Sequence, residues 1–492
     1  MQLEAPQIFE FDCYKKGQKG TKHYKGIINN NKLELYKENA KVSKYVLPIQ
    51  LQTHIKWEVE EESVNGKKHY KIVSFKFQQI KQIKDSQIAK VTCFYGDDIT
   101  LTKLKEHLRN KIIFQRIQDF YTPLQTLGKG ASSRVLLVRH KNSELYYAAK
   151  CVDKSYVNET ENGIESMFQE ISINNDLDHP SFIKLHAVYE GDNTFYMVMD
   201  LLEGKSLHDE LNSHKNGFPE EIVRNVMWQI LTGIEYMHKK NIMHRDLKPE
   251  NIMLQKKSDL NSLKIVDFGL ATYCNIDKYL FPKCGTPGYV APEIANLIDK
   301  SEKYDKVCDV FSAGVIFFKL LTGKDLFPGV GFNLVLKLNK QCKIDLTPLQ
   351  MKKIDPSIIN LIQRMLEKDP IKRISASACL LEPFFEKSHT QELKQQQTSS
   401  QKKQFFSSGG KNFQTQEFQS DSPSLQNTKQ IEKGSFVTQD SAFKGFKEPQ
   451  HGKVMQKFNT TEFDHVDISG SPNEKKNSKF ANTDKIEEED EK

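Results

Sequence analysis

The chain has 492 residues, 27% charged and 38% hydrophobic; at roughly 100–200 residues per domain this is room for two to four folded units. Seventy-one basic residues against 64 acidic ones leave +7, too small an excess over this length to argue for nucleic acid, and none is expected as a partner. A mean hydropathy of −0.59 fits a soluble chain in which one portion lacks a core.

The opening MQLEAPQIFEFDCYKK has no basic segment followed by an apolar run, so no secretory leader is expected. No apolar stretch approaches the ~18–20 residues of a membrane span. From there to about Arg116, short β-rich runs alternate with polar turns: Gly26-Ile27-Ile28, Leu33 to Tyr36, His54 to Val59 and Tyr70 to Phe77. The last alternates apolar and polar residues, as a half-buried strand does. Leu101, Leu104, Lys105, Leu108, Ile112 and Ile113 then fall on one helical face. Residues 1–116 therefore read as a small β-barrel or sandwich closed by a helix.

Residues 120–386 place strand-like stretches (Val135–Val138, Leu145–Ala149, Phe195–Met199) ahead of long amphipathic helices such as the ladder Ile222, Val226, Ile230, Ile234, Met237. The expected class is α+β with a β-rich lobe followed by a mainly helical one. Residues 387–492 are rich in Gln, Ser, Lys, Asn and Thr, with single Phe residues and no periodic apolar face. They cannot offset the ~1–2 kcal/mol per residue of backbone ordering entropy, so a disordered tail is expected. Eight scattered cysteines form no CxxC and no Cys/His zinc spacing, which fits reduced thiols and a cytoplasmic chain.

Chemistry concentrates in the middle. Leu127-Gly128-Lys129-Gly130-Ala131-Ser132-Ser133-Arg134-Val135 lies between two strand-like runs, where glycines let backbone amides approach phosphate oxygens. Lys150 ends the next strand, and Glu170 on a helical stretch offers a carboxylate to fix it. Then come Ile242-Met243-His244-Arg245-Asp246-Leu247-Lys248-Pro249-Glu250-Asn251, Ile265-Val266-Asp267-Phe268-Gly269, and Gly285-Thr286-Pro287 through Ala291-Pro292-Glu293.

In order and spacing these runs resemble the protein-kinase signature set, and the resemblance covers over half the chain. It implies a bilobal kinase fold using ATP and Mg²⁺ to phosphorylate protein serines and threonines. Asp246 would accept the hydroxyl proton and Lys248 place a charge at the phosphoryl group. Asn251 and Asp267 would hold Mg²⁺ as hard oxygen ligands. The loop 127–135, Lys150 and Glu170 would bind the phosphates. Adenine would lie among Val135, Ala148, Met199 and Met253, with Asp200 and Leu201 on the hinge. Glu293 would pair with Arg373. The Asp-Leu-Lys-Pro-Glu-Asn form is similar to serine/threonine kinases, nearest to the calcium/calmodulin-dependent group. No EF-hand loop is present, so no Ca²⁺ site is expected. The alternative is a catalytically weak kinase-fold scaffold, which would not need Lys150, Glu170, Asp246, Asn251 and Asp267 as a set.

Some positions depart from the family pattern. Ser132 replaces an aromatic residue and Ser133 the third glycine. Asn174 takes an apolar place beneath Phe268, and Ser206 and Lys319 stand where acidic residues bind basic substrates. Pro282 occupies the usual phosphorylation position, so packing of Tyr279, Leu280 and Phe281, or the charge of Asp277, would have to order the segment. Residues 1–116 more weakly resemble a pleckstrin-homology domain. Lys15, Lys16, Lys19, Lys22 and Lys25 would there meet anionic membrane lipid by charge, placing the chain peripherally at membranes; the alternative is a solvated loop on a protein-binding or spacer domain.

Overall fold

The computed structural model describes residues 8–386 apart from 30, 84, 85, 131 and 132. The tail 387–492 and the loop residues Ala131 and Ser132 lie outside the described residues. Seven strands come first: β1 (Phe9–Gly17), β2 (Gly20–Asn29), β3 (Lys32–Lys37), β4 (Tyr45–Pro48), β5 (His54–Val64), β6 (Lys67–Ile83) and β7 (Ser86–Tyr95). They pair antiparallel in the order 4-3-2-1-7-6-5. Their inward residues surround Trp57, Phe75 and Phe94, which are fully buried.

Helix α1 (Asp98–Leu108) closes this part, its first turn capped by Asp97, which accepts a hydrogen bond from the Thr100 amide at 2.9 Å. The helical spacing runs on to Ile113, but the helix stops at Leu108. Asn110 takes a left-handed backbone (φ 66°), which Asn tolerates better than most residues. The chain then enters β8 (Ile113–Gln115).

That short strand joins the two halves. The second half opens with β9 (Tyr121–Lys129), β10 (Ser133–His140), β11 (Tyr146–Asp153), helices α2 (Lys154–Glu159) and α3 (Gly163–Asp176), then β12 (Leu185–Glu190) and β13 (Thr194–Asp200). β8 pairs parallel with β5 on one side and β12 on the other. The result is one 13-stranded sheet that ends β5-β8-β12-β13-β11-β10-β9.

The pleat divides its side chains between two cores. Leu136, Val138, Ala149, Cys151, Tyr196 and Val198 face outward and share a core with Trp57, Leu101, Leu104 and Leu108. Phe195 and Met197 face α3. Separate cores for 1–116 and 120–386, as the sequence suggests, are therefore not what forms. Alternation shows that a strand has two faces, but not which element covers each.

The remaining chain is mainly helical, from α4 (Leu207–Ser213) and α5 (Glu220–Lys239) onward. Four short strands follow: β14 (Ile242–Met243), β15 (Ile252–Leu254), β16 (Leu263–Ile265) and β17 (Thr272–Tyr273). After α6 (Pro292–Ala295) comes α7 (Cys308–Thr322), buried nearly all round at the centre of a core it shares with α5. No helix among the described residues is long and apolar enough to cross a membrane.

The junction core holds one cation. The Lys105 ammonium lies 4.1 Å from the Phe120 ring centroid, 4.9 Å from Phe114 and 5.7 Å from Tyr189. Burial pulls its pKa from 10.5 down to about 8, with Glu106 opposing and Arg109 assisting.

Two outcomes follow for stability. Deleting residues 1–116 would uncover Val138, Tyr189, Tyr196 and Val198 among others. At ~1.5–3 kcal/mol per large side chain this rivals a typical total stability of ~5–15 kcal/mol. The truncated protein should aggregate or melt far below the intact chain, and a monomer with unchanged Tm would show that residues 120–386 have a self-sufficient core. Lys105→Met should stabilise the intact chain by about 1–3 kcal/mol near neutral pH. The unfolded chain binds more protons than the folded one between about pH 8 and 10.5, so the native protein sheds the penalty as pH rises through that window. Melting curves of both proteins should converge there.

Candidate active site

The β9–β10 hairpin forms the glycine loop, with the Gly130 amide donating to the Ser133 carbonyl at 2.7 Å. A Cβ on Gly128 would meet nothing within 4 Å, and one on Gly130 only Ser133 at 3.5 Å. Among the described residues, neither glycine is demanded by packing against protein. Directly across the sheet, Val135 lies opposite Lys150 and Ala148 opposite Met199, so these four share the inner face. Met253 sits on β15. Leu127 is half exposed. Asp200 ends β13, and its carboxylate is engaged by His186 Nε2 at 2.6 Å, which leaves hinge contacts to the backbone there and at Leu201.

Lys150 Nζ donates to Glu170 Oε1 at 2.5 Å and stands 3.6 Å from Asp267 Oδ1. Burial works against the ammonium, but the two carboxylates outweigh it and hold its pKa above the ordinary lysine range. Asp267 has φ 62° and Arg245 φ 69°. A non-glycine residue pays ~1–2 kcal/mol there, a strain that collects at functional sites.

Asp246 is the centre of a second cluster. The Thr286 hydroxyl donates to its Oδ1 at 2.5 Å, Lys248 Nζ lies 2.9 Å from its Oδ2, and Asn251 Nδ2 donates to Oδ2 at 3.1 Å and to its backbone carbonyl at 2.9 Å. Lys248 also donates to Thr286 at 2.7 Å. Both amide hydrogens of Asn251 are thus spent on Asp246, and its side-chain oxygen is the atom left for a cation.

Asp309, fully buried on α7, holds this loop from beneath. Its carboxylate accepts the His244 and Arg245 amides, each at 2.8 Å, and faces His238 Nε2 at 3.1 Å. Burial alone would raise its pKa, but His238, His244 and the Arg245 amide keep it below the usual carboxylate range. Sequence reasoning gives no role to Asp309 or to Thr286. Thr286 stands in a quoted motif, whereas Asp309 has no local signal beyond an acid in an otherwise apolar helix.

The segment after Asp267 is ordered by packing around Arg245. Its guanidinium donates to the carbonyls of Leu270 at 2.7 Å and Phe281 at 2.6 Å and to the Tyr304 hydroxyl at 2.8 Å. It lies 5.4 Å from the Tyr279 ring, and the Tyr279 hydroxyl bonds the Tyr304 carbonyl. Gly285, at φ 116°, lets the segment pass where a Cβ would come within 3.0 Å of the Arg245 carbonyl. Asp277 is exposed; of the two expected substitutes for a phosphate, packing of the tyrosine-containing stretch is the one present.

Helix α3 is tied to the same segment, through Gln169 Nε2 to the Ala271 carbonyl and the Tyr273 hydroxyl to Asp176, both at 2.7 Å. Asn174 is buried in it; its nitrogen bonds the Glu170 carbonyl at 2.8 Å, and its oxygen finds no partner. An orphaned acceptor of this kind costs ~1–3 kcal/mol. Glu293 and Arg373 form a bidentate pair at 2.6 and 2.8 Å. Lys319 pairs with Asp325 at 2.7 Å, and Ser206 caps α4 in a reciprocal box with Asp209. The lysines expected in one loop are spread along a hairpin: Lys15 faces Lys22 across β1–β2, and Lys25 pairs with Glu10 at 2.7 Å.

The family model described as "Protein kinase domain" matches residues 121–385. Calcium-dependent protein kinase 4 of Plasmodium falciparum is 38% identical over 261 residues, covering 53% of this chain and 48% of the relative. Calcium-dependent protein kinase 3 of Plasmodium yoelii yoelii is 37% identical over 273 residues, 55% and 49% of the two chains. Calcium-dependent protein kinase 5 of Plasmodium berghei is 40% identical over 215 residues, 44% and 36%. The chain spans about half the length of the curated relatives it matches. These matches overturn the expectation of no Ca²⁺ site. All three relatives are calcium-dependent by name, and the missing EF-hand pattern is read from a chain that spans only part of each.

Because the Nε and Nη1 of Arg245 are already engaged by carbonyls and a tyrosine, and only Nη2 lacks a partner among the described residues, phosphate on the segment should be dispensable. Protein made without other kinases and treated with phosphatase should keep the 267–293 stretch protease-resistant and retain most phosphoryl-transfer activity. A large loss, restored by a phosphate mapped between Thr272 and Phe281, would contradict this.

Proposed function

The chain belongs to the protein kinase family, and on that footing we propose that it transfers the γ-phosphoryl group of ATP, with Mg²⁺, to serine and threonine hydroxyls of proteins. The observation that carries the reading is the joint assembly of two clusters: Lys150 with Glu170 at 2.5 Å, and Asp246 with Lys248, Asn251 and Thr286 at 2.5–3.1 Å. A scaffold would need neither.

The residues present fit the cofactor. The loop at Gly128 and Gly130 leaves room for phosphates against backbone amides. Asn251 and Asp267 offer the few hard oxygens that Mg²⁺ takes from protein while keeping waters and phosphate oxygens as its other ligands. When bound, Mg-ATP supplies the phosphoryl group and a cation that screens its charge.

The chain supplies position and charge. Lys150, fixed by Glu170, presents an ammonium to phosphate oxygens beneath the glycine loop. Asp246 turns the acceptor hydroxyl toward the phosphoryl group and takes its proton as the new P–O bond forms. Lys248 is anchored on both Asp246 and Thr286, so its charge sits beside the oxygen that reacts. Asp309 fixes the backbone of His244 and Arg245 and thereby the direction in which Asp246 points. The lysine at 248 and the threonine at 286 favour serine and threonine as acceptors, as in the serine/threonine kinases this loop resembles.

Asp246→Asn should lower kcat by about 10²–10⁴-fold while leaving the ATP-induced rise in Tm intact, because the proton acceptor is lost and the phosphate cradle stays. Transfer to a generic protein substrate at the wild-type rate would end the assignment.

A further inference from the structure

Helix α3 carries Glu170, yet little within it fixes its place. At 14 residues it is at the length where a helix in water is marginal without packing. Its N-terminal Asn162 has a left-handed backbone and no side-chain capping bond, and Asn174 buries an orphaned oxygen in it. The ties from Gln169 and Asp176 lead to the segment after Asp267. Support from another side comes from the residues before 116.

Two contacts to α3, and a third to the preceding helix α2, provide it. Ile113 is fully buried in a cluster with Met167 and Ile171 of α3 and with Leu185, Val188 and Met197 of the sheet. Met167 and Ile171 lie three residues before and one after Glu170, on the flank adjacent to the carboxylate. Asn110 clasps the same place from its backbone and side chain: its carbonyl accepts from Asn175 of α3 at 2.5 Å, and its amide donates to the Leu185 carbonyl at 2.8 Å. Glu190 links β5 to the start of α2, bonding His54 at 2.7 Å and Lys154 at 2.5 Å.

The geometry of the strand makes this a wedge. Phe114 points into the outer core with Tyr189 and Trp57, so its neighbour Ile113 must point to the opposite face, under α3. Parallel pairing with β12 fixes the depth of that insertion.

We propose that residues 110–115 are a positioning element for phosphoryl transfer, in which Ile113 and Asn110 hold α3 so that Glu170 stays on Lys150. This rests on the kinase reading. The part of the chain before residue 116 thereby acts on catalysis from within, through α3, without touching substrate or nucleotide.

The test uses the intact chain with Ile113→Ala, Ile113→Val, Glu170→Gln and the Ile113→Ala/Glu170→Gln pair. Ile113→Ala should lower kcat about tenfold with the protein-substrate KM within about twofold, and Ile113→Val should recover most of it. Hydrogen exchange over 163–176 should quicken in the alanine variant while α5 is unchanged. Glu170→Gln should cost at least about fivefold less in the alanine background than in the native one, because the pair it breaks is already loosened. Additive losses, or a kcat within twofold of native, would overturn the proposal. Should Ile113→Ala fail to fold, Asn175→Ala at a partly buried site removes one donor to Asn110; it should reproduce the exchange pattern and non-additivity at about threefold, and normal exchange with additivity would refute the proposal. An intact chain inactive on every substrate would defeat the kinase reading, and unchanged α3 exchange in the folded variants would still defeat the positioning role on its own.

Discussion

Lys150 and Glu170 meet at 2.5 Å although one sits within a strand and the other on a helix 20 residues away. An ion pair with this little solvent around it is favourable only if both ends are delivered to it, since a buried charge without its partner costs more than the pair returns. Delivery is a packing problem. β11 is held by its sheet, and α3 is held by whatever touches its sides, so the Lys150–Glu170 pair depends on the contacts of a short helix with few internal restraints. Asp267 adds a second carboxylate, and its left-handed backbone is tolerated because the surrounding structure leaves it no alternative.

The sheet explains how the chain meets that demand. A five-stranded sheet of this kind would expose β12 as an edge, with unpaired amides and carbonyls along it. Here β8 occupies the edge, and its two faces are used for different purposes: Phe114 completes an outer aromatic core around Lys105, while Ile113 reaches the inner core under α3. The strand-rich first part is therefore continuous with the lobe that carries the glycine loop, in hydrogen bonding and in apolar packing. Any strain at the junction, including protonation of Lys105, bears on both.

In the second lobe the organising charges are handled differently. Asp309 is buried but accepts two backbone amides and faces a histidine, so its desolvation is compensated locally. Among the described residues Arg245 has no carboxylate; the carbonyls of Leu270 and Phe281, from the segment after Asp267, and the Tyr304 hydroxyl meet its Nε and Nη1, while Nη2 has no partner. The segment is thereby closed around the arginine by chain geometry, with Tyr279 and Tyr304 packed on each other 5.2 Å apart. The loop at 244–251 and the segment are one unit, joined at Thr286 and Asp246.

Much of this was legible in the residues themselves. Motifs at 127–135, 242–251, 265–269 and 285–293 each lie within a few positions, so spacing put Asp246, Lys248 and Asn251 close together, and the resemblance to protein kinases linked them to Lys150, Glu170 and Asp267. Period-2 alternation over Tyr70–Phe77 and the ladder from Ile222 to Met237 located β6 and α5. The pattern failed at Ile112 and Ile113, whose helical spacing is the accidental continuation of α1 past Asn110, because a left-handed residue is invisible to periodicity. Tertiary structure alone decided which face of β8 meets α3, that two apparent units share one core, that Asp309 supports the catalytic loop, and that Arg245 is filled by carbonyls. Each of these joins residues tens of positions apart through desolvated contacts. Such contacts depend on the path of the whole chain, which no local pattern of residues records.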